Sequence, residues 1–159
     1  MRVKRGVAGL AFVLGSLGAC SGTTPYRDAG ERNLKIRTET SSGSAFSKVR
    51  ASVDIYRVDT QCRVEYEGTV ALDAPVVSAG IPLDRPSLLV FTFSSSSFLG
   101  GTRGTISRES LLRPRPGYRY DFDVRYKDDI YDVAPSETAP RESRARPSEL
   151  SPLAACRRQ

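Results

Sequence analysis

The chain has 159 residues, with 24 lysines and arginines against 18 aspartates and glutamates, a net charge of +6 and no histidine. The absence of histidine excludes His-based triads, His metal ligands and an imidazole general base. The charge does not imply a basic face and nucleic acid is not an expected partner, because Arg2, Lys4 and Arg5 stand at the start, five arginines (Arg141, Arg144, Arg146, Arg157, Arg158) lie beyond Pro140, and basic and acidic residues between Cys20 and Pro140 balance at 16 each.

The first stretch joins Arg2, Lys4 and Arg5 to an uncharged apolar run from Val7 to Leu17. That run is too short to span a bilayer, which takes roughly 20 residues, and it has the layout of an export signal. It ends in Leu17-Gly18-Ala19-Cys20: a large apolar residue, two small residues and a cysteine. Residues 1–21 resemble the start of bacterial lipoprotein precursors, with Leu17 to Cys20 as the lipobox. The resemblance implies that the Cys20 thiol takes a diacylglyceryl group. It also implies cleavage that removes a helical signal peptide (residues 1–19) and leaves the chain held to a membrane through Cys20. Ser21, rather than aspartate, after the lipid cysteine implies the outer membrane, facing the periplasm. The alternative is an ordinary secretory signal with a coincidental cysteine.

Without residues 1–19 the chain keeps 140 residues, enough for one domain. Residues 20–33 are small, polar and poorly patterned and read as a flexible tether. The domain is expected over 34–134. Leu34, Ile36 and Thr38 alternate with charged residues at strand spacing, Ser41 to Ser44 turn the chain, and Val49, Ala51, Val53 and Ile55 form a second inward set. Asp59-Thr60-Gln61 breaks that strand. A third runs with Cys62, Val64, Tyr66, Gly68, Val70 and Leu72 on one phase, expected inward. Pro75, Pro82 and Pro86 restrict Val76 to Leu83 to a short or edge strand. Leu88-Leu89-Val90-Phe91 is an unbroken apolar run, as in a strand buried on both faces, and Ser94 to Ser97 is expected to end it as a loop.

A less clearly patterned strand is expected from about Gly104 to Leu112. Arg113-Pro114-Arg115-Pro116-Gly117 is a turn, since proline fixes φ and glycine permits positive φ. Tyr118, Tyr120, Phe122, Val124 and Tyr126 then alternate with charged residues, Asp128-Asp129 makes a hairpin turn, and Ile130 to Ala134 returns. Beyond Pro135 the composition predicts a mostly irregular Pro/Arg-rich tail, residues 135–159, in which only Leu150 to Cys156 has apolar character enough to dock. The fold class is all-β: an antiparallel β-sandwich of about seven or eight strands, transthyretin-like or immunoglobulin-like. Pro116-Gly117-Tyr118-Arg119-Tyr120 resembles the closing turn and strand of transthyretin-like and PEGA-like domains, which implies an all-β domain and carries no activity.

With Cys20 given to lipid, Cys62 and Cys156 remain, an even number in an oxidising compartment, and a disulfide between them is the default. It requires Cα atoms within about 7 Å; the alternative is two separate buried thiols. Such a bridge would turn the tail into a strap across the sandwich.

Candidate chemistry is sparse. Ser94 to Ser97 lacks a G-x-S-x-G setting, and the spacing of Lys35, Lys48 and Lys127 points to no buried amine. Asp121, Asp123, Asp128, Asp129 and Asp132 crowd one hairpin, but no calcium-loop pattern accompanies them and Arg119, Arg125 and Lys127 interleave. The four rings of the aromatic stripe suit a core. Phe98-Leu99, between the serines and Gly100-Gly101, is the candidate contact for a partner. No cofactor, metal or catalytic residue is expected. The sequence reads as an envelope lipoprotein whose sandwich is a non-enzymatic binding or scaffolding module with a protein partner in the envelope. The alternatives are an assembly lipoprotein of a secretion or other trans-envelope machine, similar in size and anchor to the type VI secretion lipoprotein, and a hydrolase or metal-dependent enzyme.

Overall fold

A computed structural model of the chain describes residues 23–41, 47–97, 103–127 and 130–158. Among these residues, nine strands and a short 3-10 helix (Leu153–Arg158) are arranged as two sheets. The strands are β1 (Leu34–Ser41), β2 (Ser47–Val58), β3 (Val64–Ala71), β4 (Val76–Ala79), β5 (Ser87–Ser97), β6 (Arg103–Leu112), β7 (Arg119–Lys127), β8 (Ile130–Thr138) and β9 (Arg146–Pro147). One sheet has the order β3-β2-β5-β6, the other β4-β1-β7-β8-β9. The fold is all-β and sandwich-like, with one departure from the antiparallel expectation. β1 runs parallel to β7, with Leu34 opposite Tyr120 and Ser41 opposite Lys127.

The core follows from period-two alternation. Leu34 and Ile36 of β1, Val53 and Ile55 of β2, Leu89, Phe91 and Phe93 of β5, and Tyr120, Phe122, Val124 and Tyr126 of β7 are all buried in one cluster. The two sheets meet ring against ring: Phe91 and Phe122 are 5.0 Å apart between centroids, and Phe93 stacks at 6.4 Å from Tyr126 and 5.6 Å from Tyr131. Each such ring contributes roughly 1.5–3 kcal/mol by burial. The aromatic stripe is therefore core, as its spacing predicted. The Pro116-Gly117 turn is also as expected: Gly117 has φ 76° and the Tyr118 amide donates to the Arg115 carbonyl at 3.2 Å.

Ser94 to Ser97 is not a loop. These residues continue β5, paired to Ser47–Arg50 on one side and to residues 103–105 on the other. A strand hydrogen-bonded on both edges persists past its apolar stretch because its backbone is already satisfied. β8 likewise runs through Pro135 to Thr138 rather than stopping at Ala134. The Pro135 carbonyl accepts from the Ser148 amide, so its nitrogen also points outward, where the missing N–H breaks no bond to β7.

The third strand departs most from the alternation. Ile55 is opposite Gly68 but Tyr56 is opposite Tyr66, so Glu67 is an extra, bulged residue. One inserted residue reverses the phase. Gly68 and Leu72 face inward as expected, whereas Val64 and Tyr66 turn to the outer face, at 44% and 41% exposure. Cys62 is not on the strand. It sits half-buried in the turn before it, at φ 60°.

Residues 24–33, expected within the tether, are hydrogen-bonded to the domain. The Thr69 amide donates to the Thr24 carbonyl at 2.8 Å, and the Tyr26 amide donates to the Thr69 carbonyl at 2.9 Å. The Tyr26 hydroxyl reaches the Gly80 carbonyl at 2.8 Å, and Asp28 accepts from the Gly80 amide at 3.0 Å. Buried Asn33 closes the segment: its side-chain amide both donates to and accepts from the Ile81 backbone, at 2.9 and 2.8 Å, while its carbonyl takes the Tyr120 amide. Gly68 makes this close approach possible. It has φ 150°, and a Cβ there would lie 2.5 Å from the Tyr26 Cα. Gly68→Ala is therefore expected to cost roughly 1–3 kcal/mol and to speed hydrogen exchange at the Tyr26 and Thr69 amides, which urea denaturation and amide exchange together will show.

Candidate functional site

The second apolar surface of the molecule lies on the outer face of the β3-β2-β5-β6 sheet. Register aligns Leu111, Leu88, Tyr56 and Tyr66 in one cross-strand row, with Val58 opposite Val64 beside it. This explains the apolar run in β5: Leu89 and Phe91 face the core, and Leu88 and Val90 face outward.

The C-terminal segment covers one end of that row. β9 pairs with β8 on the opposite sheet, Leu150 packs against the main core, and the Leu111 amide donates to the Ser151 carbonyl. The Leu153 amide then donates to the Glu109 carboxylate at 3.0 Å, and Leu153 and Cys156 lie on Val58, Leu88 and Leu111. Cys156 is disulfide-bonded to Cys62 with Cα atoms 5.9 Å apart, inside the limit set from the sequence. The tail is a strap that joins the two sheets.

The turn carrying Cys62 is built by Asp59. Its carboxylate accepts from the Gln61 and Arg63 amides at 2.8 and 2.9 Å and from the Arg63 guanidinium at 2.7 Å. Those backbone bonds, the Arg63 amide foremost, hold its pKa below the usual carboxylate value. The turn ends in a left-handed residue, a position usually filled by glycine or asparagine. Here it is Cys62, whose side chain forms the bridge.

The strap stops short of β3. Val58, Leu88 and Leu111 are at most 8% exposed beneath it, whereas Val64 and Tyr66 at the far end of the row are open. The Tyr66 ring stands edge-on to Tyr56 at 5.5 Å, and its hydroxyl meets Thr69 at 2.6 Å and the Thr24 carbonyl at 3.3 Å. At the bulge itself, Glu67 pairs with Arg85 at 2.7 Å. Burial foremost, then the Glu67 and Asp28 charges, push the Tyr26 phenol pKa up to about 12 against the opposing charge of Arg85.

Arg85 also borders two clefts. One, of about 530 Å³, is lined by Asn33, Ile81, Leu83, Asp84, Tyr118 and Arg119 among others, and its charged groups belong to arginine, aspartate and glutamate. The other, of about 580 Å³, lies beside Cys156 and is bordered by Arg57, Asp59 and Arg113.

The sequence-derived candidates are distributed as follows. Cys62 and Cys156 are joined. Leu17, Gly18, Ala19 and Cys20 lie outside the described residues, as do Phe98 and Leu99. Asp121 and Asp123 are paired by Arg37 from the parallel neighbour β1, at 2.7 and 3.3 Å. Among the described residues no three His, Cys, Asp or Glu side chains group as metal ligands. Tyr66, Tyr26 and Asn33 carry no motif; the bulge and the docked N-terminal segment give them their places. No protein-family model matches the chain, and no curated protein matches it.

Two outcomes are expected. Cys156→Ser will lower stability by roughly 2–5 kcal/mol in urea, with the Leu111 amide losing exchange protection before the core. Tyr26 stays neutral in the folded state until pH nears 12, above its ordinary 10.0, so its contribution is complete below pH 10 and is lost as pH rises through 12. Tyr26→Phe will remove one late-titrating phenol from the ultraviolet difference spectrum and flatten that part of the alkaline stability profile.

Proposed function

We propose that the chain is an envelope lipoprotein, held by an acylated Cys20 to the outer membrane and facing the periplasm, whose β-sandwich is a non-enzymatic module for binding or scaffolding an envelope protein. The observation that carries this reading is the Cys62–Cys156 bridge. A bridge of this kind belongs to an oxidising compartment. It also accounts for two of the three cysteines and leaves Cys20, the one within Leu17-Gly18-Ala19-Cys20, for the lipid. The sheet architecture, two shallow charged clefts and an apolar strip beside the N-terminal segment support a module that meets other surfaces. The likeness of Pro116 to Tyr120 to transthyretin-like and PEGA-like closing strands supports the same class and adds no chemistry.

The experiment is Cys20→Ala. The wild-type protein should resist a carbonate wash and show acyl mass on its N-terminal peptide, since more than one chain is what stable anchoring needs. The variant should pass to the soluble fraction. A variant that remains in the membrane after the wash, or a wild-type peptide without acyl mass, overturns the proposal. Co-sedimentation with outer-membrane markers on a density gradient tests the choice of membrane.

A further inference from the structure

The N-terminal segment is fixed to β3 from Thr24 onward, and this shortens the reach of any anchor placed at Cys20. Four residue steps separate Cys20 from Thr24, so their Cα atoms are at most about 14 Å apart even when fully extended. A domain of this size is roughly 35 Å across. An anchor this short cannot hold the domain clear of the bilayer or present an arbitrary side of it. Only the surfaces adjoining Thr24 can meet lipid.

The surface adjoining Thr24 is the uncovered end of the apolar row. The Tyr66 hydroxyl is 3.3 Å from the Thr24 carbonyl, and Val64 lies on the same outer face, one alternation along the strand. Both are more than 40% exposed, although their row continues under the strap as buried Val58, Leu88 and Leu111. Tyrosine suits a membrane interface because its ring is apolar and its hydroxyl remains wet. Of the carboxylates nearby, which would repel anionic lipid, Glu65 lies on the opposite face and pairs with Arg57 and Glu67 pairs with Arg85, while Asp54 accepts from the Thr69 hydroxyl and keeps its charge.

We propose that the outer face of β3 at Val64 and Tyr66 is a membrane-docking surface that rests in the headgroup region of the bilayer holding the lipid anchor. The inference rests on the reading of Cys20 as acylated. It adds an orientation: the sandwich lies against the membrane along β3, with the start of β8 at Ile130 directed away.

The chain contains no tryptophan, so a single substitution gives a unique reporter. Full-length acylated Tyr66→Trp and Ile130→Trp are reconstituted in vesicles of phosphatidylethanolamine and phosphatidylglycerol containing brominated lipid, and intact mass confirms the acyl chains. Ile130 is 71% exposed on the opposite sheet and serves as the distal control. The expected result is blue-shifted emission and at least about twofold stronger bromolipid quenching at position 66 than at 130, as interfacial placement of an aromatic requires. Equal quenching at the two positions in protein of confirmed acyl mass overturns the docking surface and leaves the lipoprotein reading intact. A reporter at 66 shielded from both bromolipid and aqueous acrylamide assigns the strip to a protein partner or a second copy, and overturns it too. A protein without acyl mass overturns both readings together.

Discussion

A strand with apolar side chains on both faces needs a cover on each, and β5 imposes that condition on the whole molecule. The β7 stripe covers one face. The other face, Leu88 with Val58 and Leu111, meets no third sheet among the described residues, and the C-terminal segment lies over it. Burying three such side chains contributes roughly 5–9 kcal/mol, while fixing the six residues of the 3-10 helix costs roughly 6–12 kcal/mol. The two nearly cancel. The bridge from Cys156 to Cys62, typically worth roughly 2–4 kcal/mol, decides the outcome. The strap also makes the sandwich less dependent on its core, because β9 holds it to one sheet and the bridge to the other.

A similar economy governs the N-terminal side. β3 is an edge strand, and an unprotected edge invites pairing with other chains. Pro25 and Tyr26 lie against it at Thr69, and the bulge at Glu67 interrupts its ladder before Tyr66. The two devices protect the edge differently. The first supplies hydrogen-bond partners, whereas the second twists the strand and turns Val64 and Tyr66 outward. What remains exposed is a strip only a few side chains wide, bounded by the strap on one side and the entering chain on the other.

The features legible in the sequence are those set by local rules. The inward stripe of β7, the Pro116-Gly117 turn, the doubly buried run of β5 and the pairing of two cysteines follow from periodicity, backbone restriction and compartment. The features that were not legible depend on non-local partners. Nothing in Val64-Glu65-Tyr66-Glu67-Gly68 announces a bulge, since the alternation is intact in the letters and is broken only by the register against β2. Ser94 to Ser97 has loop composition, yet ladders on both edges keep it extended. Arg37 could be matched to Asp121 and Asp123 only after β1 was known to run beside β7. Residues 24–33 lack pattern because they are held by backbone groups and by single side chains such as Asn33, not by a repeated apolar face.

The parallel pairing of β1 with β7 has a consequence for the order in which the chain assembles. Four of the ladders, β2 with β3, β5 with β6, β7 with β8 and β8 with β9, join strands adjacent in sequence and can close early. β1 has no such neighbour. Its partners are β4 and β7, and the second is separated from it by the whole of the other sheet and by β4. Loop closure over that span is slow relative to a hairpin. For a chain that emerges amino end first, the first strand of the domain must wait, unpaired on the β7 side, until Arg119–Lys127 appears. Sealing of the sandwich is then a late step.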